Sequence, residues 1–392
     1  MNESFINTRP FRGGEGFSKR RTCMLMVTHG CNLNCTYCYE KFKNPLKKMD
    51  VELAKKLILK EVKTVGESDC FEELEIDFMG GEPLLRFDLI KEIVEWLESG
   101  VSDVPFVCFA TTNGTLLNEE MKSWFAQHKK SMILGASYDG NERGQSANRG
   151  SKANQIDIDF FASTWPEQGF KMTISKESLP YLYESYVEIA NKNYFVNASL
   201  AQGVAWTKED ARIYREQLAA LRGFYLSHPN IEPCNLLTRS LAGIEYGVSE
   251  QTKYCGSGDG MITYDVDGTA YGCHMFTPVV LNERATPLGL SAECAGRLTI
   301  TDSLCKGCGL LNWCPTCIGF NVKDRGAACN RDHRWCHMVA AQAVEACMYQ
   351  LECLDRISSC RELDVIEAGQ LKFALNAYEV LKDMDIEGDY PQ

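Results

Sequence analysis

Cys31, Cys35 and Cys38 stand in one short stretch, Cys31-Asn32-Leu33-Asn34-Cys35-Thr36-Tyr37-Cys38, spaced C-x3-C-x2-C directly after an apolar run. Three thiolates this close can wrap one face of an iron–sulfur cubane. A 4Fe–4S cluster has four irons and normally takes four cysteines, so such a triad leaves one iron open for a substrate or cofactor. A structural zinc site is the alternative, although zinc favours four ligands in paired C-x2-C knuckles.

A second block follows far downstream. Cys255 is followed after twelve residues by Gly268-x4-Cys273, then by Cys305-x2-Cys308-x5-Cys314-x2-Cys317 and a lone Cys336. A pair of zinc ribbons is the bland reading, but the first half of the block is not knuckle-like. The chain has nineteen cysteines, and its start, Met1 to Arg20, is polar and Gly-rich with no secretory apolar region. Disulfides are rare in reducing compartments, so cysteines in such a chain are more often metal ligands, and cytoplasm is the natural location. The net charge of -12 opposes binding to phosphate backbones or anionic membrane, both of which need a basic surface. No apolar run reaches the roughly 18 residues of a membrane span. Neither nucleic acid nor membrane is an expected partner.

The elements that must position these cysteines are legible from periodicity. Strand candidates lie at Cys23–Thr28, Leu74–Met79, Phe106–Thr111, Met132–Ser137, Phe170–Ser175 and Asn197–Ala205. They alternate with helix candidates at Val51–Val65, Leu89–Glu98, Glu119–Lys129, Leu179–Asn191 and Lys208–Leu226. Six such repeats predict an α/β fold, a parallel sheet with right-handed crossovers that is curved or closed as a barrel. After about Leu241 the texture changes to Gly, Cys and turn residues, with a hairpin signal at Asp265-Val266-Asp267-Gly268, and helical periodicity returns over Trp335–Leu354 and Leu363–Leu381. We expect an N-terminal extension over 1–20 and a barrel over 21–240. A small Cys-rich domain over 241–345, too poor in apolar runs to stand without staples, then precedes a helical segment over 346–392.

The segment CNLNCTYC after a strand resembles the signature of the radical S-adenosylmethionine (SAM) superfamily, which implies a partial (β/α)6 TIM-like barrel. The resemblance further implies that Cys31, Cys35 and Cys38 hold a 4Fe–4S cluster whose open iron is chelated by SAM. Electron transfer then yields a 5'-deoxyadenosyl radical that abstracts a substrate hydrogen. Tyr37 matches the aromatic near the adenine, with packing against the loop as its other reading. Gly80-Gly81-Glu82-Pro83 resembles the family's GGE motif, where glycines permit close backbone approach and Glu82 or its neighbouring carbonyls accept hydrogen bonds from the ammonium of SAM. Thr112-Asn113-Gly114 and Ser137-Tyr138-Asp139-Gly140 look like the ribose-contacting segments of the peptide-modifying branch, which makes Asn113 and Ser137 ribose partners. Arg149 falls where that branch has an Arg that pairs with the SAM carboxylate, although the usual His-Asp before it reads Gln145 and Ser146 here. Ser175, closing the fifth strand, is a further ribose candidate. All these segments follow strand ends, the rim where barrel enzymes keep their sites.

The second block resembles the SPASM extension, whose seven cysteines hold two auxiliary 4Fe–4S clusters, three clusters in all. Carried over by position, Cys305, Cys308, Cys314 and Cys336 hold the far cluster and Cys255, Cys273 and Cys317 the near one. Cys314 and Cys317 are one residue closer than is common, and Cys329 rivals Cys336 as last ligand. The near set is one ligand short, so either it has an open iron or a distant residue such as Cys234 closes it. His274 stands where the sulfatase-maturing branch has an Asp base, and is either a base or a hydrogen-bond partner of the cluster sulfur. The other cysteines, 23, 70, 108, 234, 294, 329, 347, 353 and 360, read mostly as small buried hydrophobes.

The resemblance thus implies an enzyme. Cys273-His274-Met275-Phe276 followed by Leu288-Gly289 resembles the peptide thioether-forming members, so the leading expectation is a maturase that crosslinks a ribosomally made peptide through a thioether or carbon–carbon bond. It would draw electrons from a flavodoxin- or ferredoxin-type reductant. Too few residues precede the first strand for the leader-recognition domain such enzymes often carry, so leader binding needs another surface or a separate protein. A sulfatase maturase making formylglycine is the second reading. An iron–sulfur carrier or scaffold is the third, opposed by Glu82, Asn113, Ser137 and Arg149, which a mere carrier does not need.

Overall fold

The computed structural model describes residues 19–248, 250–251, 255–287 and 300–384. Leu288, Gly289 and Cys294 lie outside them, as does the N-terminal stretch to residue 18. Nine strands are present among the described residues: β1 (Arg20–His29), β2 (Asn44–Lys48), β3 (Glu73–Gly80), β4 (Phe106–Thr112), β5 (Met132–Ala136), β6 (Phe170–Ile174), β7 (Val196–Leu200), β8 (Met261–Tyr264) and β9 (Ala270–Tyr271). β1 is buried from Thr22 to His29, as a strand covered on both faces must be.

From β1 the parallel wall runs through β3, β4 and β5 in straight register, Cys23 beside Ile76, Ile76 beside Cys108 and Cys108 beside Met132. A single bridge between Ser137 and Lys171 carries it to β6, which pairs in parallel with β7. The result is a TIM-like open barrel of six parallel strands. All six expected strands are present. The sixth ends at Leu200 rather than Ala205, because the chain turns away at Gly203, whose φ is 74°.

The connecting helices begin where side chains can satisfy their free N–H groups. Asp50 caps Val51–Gly66, Asn118 caps Glu119–Gln127, and Thr207 forms a capping box with Asp210 at the start of Lys208–Ser227. Ala54, Ile58, Ile90 and Ile93 pack from the helices against Leu25, Val27, Ile76 and Phe78 of the sheet. Helices Glu142–Arg149, Ile158–Thr164 and Ile318–Arg325 were not expected, nor were the single turns Asn235–Thr238 and Pro278–Leu281.

The hairpin signal at 265–268 is a real turn, with Gly268 N donating to Asp265 O at 2.8 Å. Its first strand, β8, joins the barrel sheet, lying parallel on the free side of β1 with Thr22 beside Met261. The C-terminal helices run over Cys336–Ser358 and Val365–Lys382. A second apolar cluster gathers Tyr271, Met275, Phe276, Ile318 and Phe320 around Met26 of β1, so the Cys-rich region packs on the barrel. Among the described residues no helix is long and apolar enough to cross a membrane.

Candidate active site

β1 ends at His29, and the loop that follows carries Cys31, Cys35 and Cys38, all half-buried and none in a disulfide. The loop is folded tightly. Cys38 N donates to Cys35 O at 3.2 Å and Leu33 N to Cys31 Sγ at 3.4 Å. Burial raises the Cys35 thiol; Arg149 opposes this, and Cys38, Asp139 and Cys31 add to it, so the three thiols are electrostatic neighbours. Thiols that resist ionisation together need a cation among them, and a metal ion holds coordinated thiols deprotonated. Lys43, which donates to Leu33 O at 3.1 Å, is held above the usual lysine range despite its burial, by Cys38 and Cys31. A half-buried triad with a lysine at its side suits an iron–sulfur cluster carrying net negative charge.

The ends of the next strands clamp this loop. A Cβ on Gly81 would lie 2.3 Å from Gly30 O and 2.8 Å from the Cys31 Cβ, so only glycine allows the approach. Glu82 N donates to Gly30 O at 2.9 Å. The buried Glu82 carboxylate is itself spent inside the protein, accepting from Leu84 N at 3.0 Å, Thr112 Oγ1 at 2.7 Å and Asn113 N at 2.8 Å. Asn113 Nδ2 donates to Asn32 Oδ1 at 2.9 Å, and its own Oδ1 accepts from Thr115. Thr36 N donates to Asn148 O at 2.9 Å, tying the loop to helix Glu142–Arg149.

Asp139 organises the opposite wall. Its buried carboxylate accepts from Arg149 Nε at 2.7 Å and Arg149 Nη2 at 3.1 Å, from Asn148 Nδ2 at 2.9 Å, from Thr173 N at 2.8 Å and from Tyr37 Oη at 3.2 Å. The Arg149 guanidinium lies 5.5 Å from the centre of the Tyr37 ring. Arg149, expected to meet a SAM carboxylate, is therefore already forked onto Asp139. Ser175 Oγ lies 2.5 Å from Asn148 Oδ1 and belongs to the same network. Ser137 N donates to Thr112 O at 2.8 Å at the rim of β5. Sequence reasoning passed over Asn148, and it named Asp139 and Gln145, which accepts from Asp139 N at 2.9 Å, without giving either a role. The one available signal was the Asp139–Arg149 separation.

The second block divides into two groups. Burial raises Cys336, and Cys314, Cys305 and Cys308 raise it further, so these four are electrostatic neighbours. Trp335, next in the chain, buries an indole N–H without an acceptor among the described residues. Cys329 is exposed, its Sγ 3.8 Å from Asn330 Oδ1. Burial likewise raises Cys317, with Cys255 a contributor. Buried Cys234 has Tyr186, Tyr214 and Tyr225 as its electrostatic neighbours. Cys23, Cys108, Cys347 and Cys353 are also buried, whereas Cys70 and Cys360 are exposed.

Tyr39 joins the first and second blocks. Burial raises its hydroxyl, and Glu40, Cys38, Cys273 and Cys317 raise it further. Its ring lies 5.5 Å from the His274 ring and 5.7 Å from that of Phe320. His274 Nδ1 is 3.6 Å from Cys273 Sγ. Burial, with Lys171 adding to it, pulls the His274 imidazole down to about 4, so it is neutral at pH 7.

Residues 25–135 match the model of the Radical SAM superfamily. An uncharacterised protein of Methanocaldococcus jannaschii is 28% identical over 265 residues, covering 64% of this chain and 83% of that protein. The structure of anSMEcpe with bound AdoMet superposes with a TM-score of 0.61 at 15% identity, covering 91% of this chain and 98% of that one. That protein is also known with AdoMet and the Cp18Cys peptide. SuiB of Streptococcus suis, bound to precursor peptide SuiA, superposes with a TM-score of 0.54 at 17% identity over 81% of this chain and 76% of that one.

Proposed function

We propose that the chain, whose residues 25–135 match the Radical SAM superfamily model, is a radical SAM peptide maturase that installs a thioether or carbon–carbon crosslink in a ribosomally made peptide. The observation that carries this reading is Tyr39, the residue after Cys38, whose ring lies 5.5 Å from that of His274, the residue after Cys273, so that the two cysteine blocks come together at one place.

Cys31, Cys35 and Cys38 would hold the first 4Fe–4S cluster, with SAM against the rim made by Gly80, Gly81, Glu82, Asn113, Ser137 and Ser175. Bound there, the pair supplies a 5'-deoxyadenosyl radical able to take a hydrogen atom from carbon. The protein's own residues position and insulate. Gly81 lets the strand end press on the cluster loop, and Lys43 offsets thiolate charge. The Asp139–Arg149 fork holds Tyr37 as a wall. His274, whose burial disfavours the protonated ring, would serve not as a base but as a hydrogen-bond partner of the sulfur of Cys273, 3.6 Å from its Nδ1. Cys305, Cys308, Cys314 and Cys336 would hold a second cluster, and Cys255, Cys273 and Cys317 a third with an open iron. A flavodoxin- or ferredoxin-type protein would deliver electrons, and a separate protein would present the leader.

The fold neighbours crystallised with peptides, SuiB with SuiA and anSMEcpe with Cp18Cys, support a peptide substrate. The similarity to anSMEcpe also supports the second reading, conversion of Cys or Ser to formylglycine. For a cysteine substrate, mass decides between them. A crosslink removes one hydrogen from each partner, so a co-expressed short peptide encoded beside the gene should return about two daltons lighter, whereas formylglycine from Cys loses about eighteen. An unchanged neighbouring peptide together with a sulfatase peptide lighter by about eighteen daltons would replace the first reading with the second.

A further inference from the structure

Three arginines are buried among the described residues: Arg86 at 8% exposure, Arg149 at 7% and Arg331 at 5%. The first two are paired with carboxylates, Arg86 with Asp88 at 3.1 Å and Arg149 with Asp139 at 2.7 Å. Arg331 differs. Its Nη2 donates to Cys314 O at 2.9 Å, and no carboxylate pairs with its guanidinium among the described residues. The nearby Asp302 is otherwise engaged, its Oδ2 accepting from Arg331 N at 3.1 Å and lying 3.1 Å from His333 Nε2.

Burying a guanidinium costs several kcal/mol unless an anion meets it. Its surroundings tie it to the cysteines: Nη2 sits on the Cys314 carbonyl, its own backbone N–H donates to Asp302, which caps the turn Ser303–Cys305, and His333, two residues on, has Nδ1 4.0 Å from Cys336 Sγ. As neutral thiols the cysteines leave the cation without a counter-charge. As ligands of an iron–sulfur cluster they form part of a net anion, and that anion gains a further negative charge on reduction.

We propose that Arg331 is the fixed counter-charge of an iron–sulfur cluster held by Cys305, Cys308, Cys314 and Cys336, and that it raises the reduction potential of that cluster. The inference rests on the reading of those four cysteines as cluster ligands. Charge near a cluster is one of the levers that set its potential. A cation stabilises the reduced, more negative form over the oxidised one, so this cluster accepts an electron that a bare four-thiolate set would refuse.

The test uses the anaerobically reconstituted full chain, with R331Q and R331K. Iron is counted, and the potential is read by electron paramagnetic resonance during a redox titration at fixed pH. R331Q should retain its iron and shift its one-electron reduction equilibrium at least tenfold toward the oxidised form, about 59 mV, while R331K stays near wild type. Loss of iron from R331Q but not from R331K also supports the charge. An unchanged potential in iron-replete R331Q, or equal iron loss from both variants, overturns the proposal. If the parent protein holds no iron beyond that lost on replacing Cys31, Cys35 and Cys38, the cluster reading itself fails, a result distinct from either of those.

Discussion

Asp139 illustrates how much a single carboxylate can carry at this site. Five donors converge on its two oxygens, and the strongest pair comes from a guanidinium that is itself buried. Replacing it with Asn swaps an acceptor oxygen for a donor and strips Arg149 of its counter-charge. Breaking a buried pair in this way costs about 3–5 kcal/mol, so D139N should unfold at clearly lower denaturant with an unchanged slope. Wild-type stability in D139N would mean that the fork is dispensable and that Arg149 is free to meet a ligand. The cysteine triad was legible in the sequence because C-x3-C-x2-C is a rare spacing with one strong chemical use. The Asp139 network was not, since Asp, Asn and Gln at turns are ordinary residues, and their convergence depends on three separate strand ends meeting in space.

The same contrast appears among the elements. Six strands and five helices were readable because each buries one face, and burial imposes a period of about 2 or 3.6 on the apolar residues. Helix Glu142–Arg149 has no such stripe. Its sequence, ERGQSANR, contains Ala147 as its one apolar residue, and it is held instead by its Asn141 cap and by polar contacts to Asp139 and the cluster loop. Helix Cys336–Ser358 shows how an element can place a proposed metal ligand. Cys336 is its first residue, and the helix is docked on Lys208–Ser227 by buried Glu345, which meets Arg215 at 3.3 Å and Arg222 at 3.1 Å. Both arginines are partly solvated, so the loss in E345A should be about 1–3 kcal/mol rather than the full cost of a buried pair. Denaturant unfolding of E345A checks this. A variant as stable as the parent would assign the docking to apolar packing and to Gln350, which donates to Leu237 O at 3.0 Å and Arg239 O at 2.9 Å.

At the scale of the whole molecule, the Cys-rich region and the barrel share a sheet. β8 lies along β1 from Thr22 to Leu25, and at the end of β1 His29 Nε2 lies 2.5 Å from Asp265 Oδ1, both residues fully buried. The sequence marked the 265–268 turn but could not say which sheet its strands would join, because pairing over some 240 residues leaves no local periodicity. His29 stands two residues before Cys31, so the turn that leads toward Cys273 also fixes the start of the first cysteine loop. A chain stopped at residue 250 would expose the edge of β1 as an unpaired, apolar template and leave His29 buried without its partner, the condition in which strands aggregate. It should accumulate in the insoluble fraction. The point variant D265A keeps β8 and removes the partner alone, at a cost of about 1–3 kcal/mol for the orphaned imidazole. Amide exchange in full-length D265A should therefore accelerate at Val27 to Gly30 while the β4–β5 pairing stays protected. If D265A exchanges like the parent and the shortened chain remains soluble with a protected β1, the barrel stands without its C-terminal half, and the two cysteine blocks are joined by packing rather than by a common sheet.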